Sequence, residues 1–274
     1  MDQKISDRSL LDLKRDSSLA ELTSLKVGGT AKYLVEIQDI QQLPEACSWA
    51  TQQGLPTLIL GEGSNFLFPD YGFPGLLIKN RITGKEASGD EVNLAGGENL
   101  ERSIRWLNQL QLSGMERMYG IPGTIAGALV GNAGAYGQEI GDLVIDVSTW
   151  INNRIEVLSV SELRFHYRWS AFKKDPNRFI LSCRLRLRKS SKNLQKISDE
   201  ILSKRALKYP KGLKCPGSFF KNVLLDNVRE EALEKIPDNF IMFGKIPAGK
   251  LLEKVGANGA RRGDAQFANY HGNL

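Results

Sequence analysis

The chain has 274 residues, of which 41% are hydrophobic and 25% charged, with a formal net charge of +6. That length and apolar content suit about two domains with a sizeable core and exclude a disordered or fibrous chain. No run of about 18 apolar residues occurs and the opening MDQKISDRSLLDLKRD is charged throughout, so neither a membrane span nor a signal peptide is expected and the protein is expected in the cytoplasm. Cys47, Cys183 and Cys215 are odd in number and lack C-x-x-C spacing, which fits reduced thiols. His166 and His271 are the only histidines, and without a Cys or His pair beside them no metal site is expected.

In chain order the pattern is mixed α/β. Residues 30–37 (TAKYLVEI) read as a strand, and Asp39 is placed to cap a helix running to about Gln53 and closed by Gly54. A strand at 57–60 runs into the loop Gly61, Glu62, Gly63, Ser64, Asn65, and another strand is expected around 76–79. Residues 92–95 (VNLA) are strand-like, and Gly96 and Gly97 end them. Residues 99–112 carry Leu100, Ile104, Leu107 and Leu110 at helical spacing.

The stretch 119–136, YGIPGTIAGALVGNAGAY, has no charge, five glycines and four alanines. Gly120, Gly123, Gly127, Gly131 and Gly134 lack Cβ, so the backbone can adopt positive φ and present amide N–H groups to an anion. Pro122 suits a turn or the start of a short helix whose free amides would face a phosphate. With the loop at 61–65 this makes two loops of one kind, which argues for one extended dinucleotide; either loop alone would also read as a plain turn.

Further along, 143–151, 155–160 and 179–187 read as strands, the last with Arg184, Arg186 and Arg188 alternating with apolar residues. A composition shift at Arg188-Lys189-Ser190-Ser191 marks the expected domain boundary. Residues 193–207 carry Leu194, Ile197, Ile201 and Leu202 at amphipathic spacing, and 247–255 read as a short helix. From Lys189 to Lys214 eight Lys and Arg face only Asp199 and Glu200. This basic stretch is either a solvated outer face or a surface that attracts phosphates; no nucleic-acid-binding motif accompanies it.

The blocks LKVGGTAKYLVE, LGEGSNFLF, GIPGTIAGAL, NAGAYGQEI, YRWSAFK, GSFFKN and GKLLEKVGANGARRGDAQFANYHGNL occur in an order that resembles the UDP-N-acetylenolpyruvoylglucosamine reductase family of peptidoglycan precursor synthesis. The resemblance runs from about Ser24 to Leu274. It implies an α+β fold: a two-lobed FAD-binding domain of the p-cresol methylhydroxylase and vanillyl-alcohol oxidase type, then a smaller α/β substrate domain. The expected partition is an N-terminal extension at 1–23, the FAD-binding domain at 24–188 and the substrate domain at 189–274. The direct passage from the helix at 193–207 to GSFFKN is similar to the shorter form of the family.

The chemistry implied by the resemblance is the reduction of bound FAD by NADPH, followed by hydride delivery to the enolpyruvyl ether of UDP-N-acetylglucosamine. By the same likeness, Gly61, Glu62, Gly63, Ser64, Asn65, Gly120, Pro122, Gly123, Thr124, Gly127, Asn132, Ala133, Gly134 and Gly137 are expected at the cofactor. Arg168 matches the family's motif arginine, whose planar fork would hold the substrate carboxylate. Ser218 matches its proton donor, a weak acid able to protonate only a strongly basic carbon. Tyr167, Lys221, Asn222 and His271 are expected near the substrate. The partners implied are small molecules, with neither nucleic acid nor membrane, and a monomer is expected. Neither GxSxG nor a plausible histidine partner supports a serine hydrolase.

Two departures from the family pattern stand out. Asn222 is followed by Val223 in place of proline, and the family pattern continues past HGNL through a further strand–helix–strand passage carrying a glutamate. The second domain is therefore expected to be truncated relative to the family, and a flavin-binding protein with little turnover is the alternative reading.

Overall fold

Residues 14–186 build two main sheets from strands whose burial follows their pattern. The computed structural model describes residues 11–274. The first sheet contains β1 (Lys14–Ser18), β2 (Thr30–Ile37), β3 (Thr57–Leu60) and β4 (Phe73–Asn80), in the order β1-β2-β4-β3. β1 runs antiparallel to β2, whereas β2, β4 and β3 are parallel. β4 is flanked on both sides, and its last six residues, GLLIKN, are buried, as expected for a central parallel strand. β1 lies inside the stretch expected as an extension, where charged residues mask a strand that pairs through its backbone; residues 1–10 of that stretch lie outside the described residues.

The second sheet is antiparallel, with β5 (Lys85–Ser88), β6 (Glu91–Ala95), β7 (Val144–Ile151), β8 (Arg154–Ser159) and β9 (Phe179–Arg186) in the order β8-β7-β9-β6-β5. In β9, Cys183 and Leu185 point inward while Arg184 and Arg186 are exposed. The basic face is neutralised locally: Arg184 pairs with Asp146 and Glu91, and Arg186 with Glu91. Trp150, Phe179 and Leu181 of this sheet pack with Val35, Ile37, Leu76 and Ile78 of the first and with α1 (Gln42–Gln52). α1 begins after the expected cap, because Asp39 Oδ1 accepts from the Gln41 amide 2.8 Å away and so closes a turn before the helix starts.

Three further helices position the site. α2 (Leu100–Gln109) is capped by the Asn99 side chain, which accepts from the Arg102 amide at 3.0 Å. α3 (Ile125–Gly131) crosses the central glycine stretch. α4 (Leu194–Lys208) is capped by Asn193. Its buried residues are Leu194, Ser198 and Ile201, while Leu202, expected on the inner stripe, is 40% exposed. Polar bonds cause this rotation: Ser198 Oγ donates to the Glu116 carbonyl at 3.0 Å, and Asn108 Nδ2 donates to Ser198 Oγ at 2.9 Å.

The chain divides into two compact units, one ending at Lys214 and the other spanning Cys215–Leu274. The first therefore extends beyond the composition shift at Arg188, because α4 is held to residues 108–120 by these bonds and by its Arg205. The second unit is made of short pieces, among them β10 (Val223–Leu224) paired with β11 (Lys245–Ile246), then α5 (Ala248–Lys254) and a small hairpin at 261–266.

Candidate flavin and substrate site

The two glycine loops expected to act together are in contact. A Cβ on Gly61 would stand 2.7 Å from Thr124 Oγ1, and one on Gly63, at φ +64°, would fall 2.0 Å from the Leu22 carbonyl. Ser64 Oγ donates to the Pro122 carbonyl at 3.1 Å, and on the other side the Ser24 amide donates to the Gly63 carbonyl at 3.2 Å. The loops are thus clamped from both sides, at Pro122 and at Ser24.

Their amides have nowhere to go within the protein. Among the described residues, the N–H groups of Glu62, Gly63, Ser64, Asn65, Gly123 and Thr124 find no acceptor. Gly63 and Thr124 are buried, where an unpaired N–H is costly. A cradle that a Cβ would fill, lined by bare donors, fits a phosphate-bearing group. The Glu62 carboxylate is turned aside by Arg81, which lies 3.1 Å from it and also holds Glu36.

The helix start behaves otherwise. The free amides expected at the beginning of α3 are already used: Ile125 donates to the Glu98 carbonyl and Ala126 to the Gly96 carbonyl, each at 2.9 Å, and Gly127 donates to Thr124 Oγ1 at 3.1 Å. Gly127 thus offers no N–H to a phosphate. The cause is the Gly96-Gly97 break, which carries the end of β6 across the mouth of the helix.

The NAGAYG segment is also closed on itself. Asn132 ends α3 in the left-handed region at φ 41° and is buried. Its amide group donates to Glu139 Oε2 and to the His166 carbonyl, both at 2.9 Å, and accepts from the Gly141 amide at 3.0 Å. Ala133 donates to Ala128 and accepts from Ile140. A Cβ on Gly134 would sit 2.5 Å from the Gln138 carbonyl, and Gly137 takes φ +83°.

Arg168 is held against this segment. Its guanidinium donates to the Gly134 carbonyl at 2.6 Å and the Asn132 carbonyl at 3.4 Å, and lies 5.2 Å from the Tyr167 ring centroid. Its backbone is at φ 55°, an uncommon conformation for a side-chain-bearing residue. No carboxylate pairs with it among the described residues, so its remaining N–H groups suit an external carboxylate.

The remaining expected residues lie in the second unit. Gly217, at φ 92°, precedes Ser218, and the turn is closed by Cys215 Sγ, 3.3 Å from the Gly217 amide and 3.2 Å from its carbonyl. Ser218 and Lys221 are exposed. Asn222 Oδ1 accepts from the Ala248 amide at 3.2 Å. His271 Nδ1 accepts from the Asn273 amide at 3.0 Å, and its ring occupies the space beside Gly249 that a Cβ would enter. Within this unit, then, Asn222 and His271 carry structural bonds.

Comparisons with known proteins give the family and the fold. A family model described as an FAD binding domain matches residues 31–153. Over 265 residues the chain is 32% identical to the UDP-N-acetylenolpyruvoylglucosamine reductase of Solibacter usitatus (strain Ellin6076), covering 96% of this chain and 85% of that protein. The chain belongs to the UDP-N-acetylenolpyruvoylglucosamine reductase family. A second member, from Thermotoga maritima, is 34% identical over 251 residues, with 91% of this chain and 81% of that one covered. The crystal structure of UDP-N-acetylenolpyruvylglucosamine reductase (MurB) from Thermus caldophilus matches with a TM-score of 0.76 and 27% identity, covering 96% and 87% of the two chains. A solvent-stable cholesterol oxidase shares the fold alone, with a TM-score of 0.51, 13% identity, and 68% of this chain and 39% of that one covered. The fold is thus the expected FAD-binding fold of the vanillyl-alcohol oxidase kind.

One residue of this region was not anticipated. Arg205 reaches from α4 to the Gly120 carbonyl at 3.1 Å. Its signal was available: Arg205 continues the buried spacing of Leu194, Ser198 and Ile201, so a cation occupies a position on the inner stripe.

Proposed function

We propose that the clamped loops hold FAD and that Arg168 and Ser218 serve the reduction of an enolpyruvyl ether. The protein is an FAD-dependent, NADPH-using reductase that converts UDP-N-acetylglucosamine enolpyruvate to UDP-N-acetylmuramate. The observation that carries the cofactor assignment is the set of bare amides at residues 62–65, 123 and 124, which makes a built anion site.

When bound, FAD supplies the relay of a hydride from NADPH to the methylene carbon of the enolpyruvyl group. Negative charge then develops on the adjoining carbon and its carboxylate. Arg168, fixed by the carbonyls of Gly134 and Asn132, holds that carboxylate and offsets the charge, a contribution of about 3 to 4 kcal/mol for a preorganised donor. Ser218 gives its proton to the carbon, completing addition of a hydride and a proton across the double bond. Tyr167 lies under the Arg168 guanidinium and steadies its plane. Lys221, exposed beside Ser218, suits the diphosphate of the UDP-sugar. A monomer in the cytoplasm fits this role; no helix among the described residues is long and apolar enough to cross a membrane.

The test follows the flavin colour. NADPH added anaerobically bleaches the loaded protein, and the enolpyruvyl substrate restores the absorbance; persistent bleaching with substrate present would leave only a flavin binder with little turnover. Ser218→Ala keeps the NADPH step near its wild-type rate and slows reoxidation by orders of magnitude. Arg168→Lys slows the same half-reaction, since an ammonium cannot reproduce the fork. Equal loss in both halves would remove these roles.

A further inference from the structure

Among the described residues Arg205 is a cation without a carboxylate partner. Its Nε donates to the Gly120 carbonyl at 3.1 Å, and its guanidinium lies 5.1 Å from the Tyr209 ring centroid. Gly120, at φ +79°, leaves room for it: a Cβ there would stand 3.3 Å from Arg205 Cδ and Nε. Elsewhere in the first unit, Arg81, Arg178, Arg184 and Arg186 each pair with carboxylates. No carboxylate pairs with Arg205, and both terminal nitrogens are unspent among the described residues.

The surroundings sharpen the imbalance. Burial lowers the Arg205 pKa, Tyr209 and Tyr136 oppose that shift, and Arg168 adds to it as a second positive charge within electrostatic reach. Glu101 opposes the shift, favouring the charged form. A guanidinium largely stripped of water by burial, with a second positive charge acting on it, is stabilised by an anion from outside the chain.

We propose that Arg205 is a second anion-binding side chain of this site, offering its two terminal amino groups to a diphosphate seated against residues 120–124. The inference rests on the reading that these loops hold FAD. The diphosphate comes either from FAD itself or from NADPH or the UDP-sugar that exchange beside it, and the two sources separate by experiment.

The test uses the whole chain. Apoprotein is titrated with FAD, and the FAD-loaded protein with NADPH and with the UDP-sugar substrate, for wild type, Arg205→Lys and Arg205→Met at low and high salt. Arg205→Met is expected to weaken one ligand about tenfold or more and to flatten the salt dependence of that binding, as loss of a contacting cation does; Arg205→Lys recovers part. Weakening in the FAD arm assigns the cofactor, and weakening in the other arm assigns the exchanging ligand. Unchanged binding in both arms, or weaker binding with an unchanged salt slope, overturns the proposal. Should Arg205→Met fail to fold, phenylglyoxal labelling of wild-type Arg205 decides: protection by FAD, NADPH or the UDP-sugar supports the assignment, and labelling indifferent to all three overturns it. Wild-type protein that binds no FAD would instead defeat the underlying flavin reading.

Discussion

The glycines of the central stretch fall into two regions that look alike in sequence and differ in physics. Gly123 and Thr124, joined to residues 62–65, keep bare amides among the described residues, and the loops are fixed by Ser64 on Pro122 and Ser24 on Gly63. Residues 127–137 use their donors internally, through the Thr124 cap, the Asn132 network and the Ala133 bonds. Absence of a side chain lets the backbone approach a partner in both regions. In both the close partner is the protein itself, the Leu22 carbonyl beside Gly63 and the Gln138 carbonyl beside Gly134, but the first region leaves amides unspent among the described residues.

The strongest way to break this contrast is Gly63→Ala. Its added Cβ requires a left-handed backbone, at about 1 to 2 kcal/mol, and meets the Leu22 carbonyl at 2.0 Å. The loop must move, and the amides of residues 62–65 move with it. FAD affinity is expected to fall by a factor of about 100 or more, equivalent to about 3 kcal/mol. Flavin fluorescence titration reads this directly. Retained affinity would show that the cradle is not built on this loop.

Asn132→Ala comes next and acts on the other region. It removes a buried amide that bonds Glu139, His166 and Gly141, and it places alanine at φ 41°. A stability loss of about 2 to 3 kcal/mol is expected by chemical denaturation. FAD affinity should change far less than in Gly63→Ala, whereas KM for the enolpyruvyl substrate should rise, because Arg168 leans on the Asn132 and Gly134 carbonyls. A larger effect on FAD than on substrate would reverse the division drawn between the regions.

Much of this was legible in the chain before folding. The strands at 30–37 and 57–60 have the expected ends, and the alternation in 179–187 named its inner face. The apolar spacing over 99–112 and 193–207 announced two helices, whose starts the Asn99 and Asn193 side chains cap in the fold. What escaped depended on partners distant in sequence. β1 exists because β2 offers an edge, despite its run of charges. The first amides of α3 are spent because the chain just past β6 brings the Gly96 and Glu98 carbonyls to them. The boundary moved from Arg188 to Lys214 because Ser198 and Arg205 bond residues 116 and 120. Glycine positions reveal where the backbone can approach something, but only the pairing of each N–H reveals whether that place is still open.

The smallest effect is the most discriminating about glycine itself. Gly131 ends α3 with nothing within 4 Å of an added Cβ and without positive φ. A glycine there costs chain entropy and serves no close approach, so Gly131→Ala is expected to raise stability by about 0.5 to 1 kcal/mol and leave FAD binding unchanged. Thermal unfolding and the same fluorescence titration measure both quantities. If Gly131→Ala instead weakens FAD, a ligand occupies the open space beside the end of α3, and the second region would join the first as binding surface.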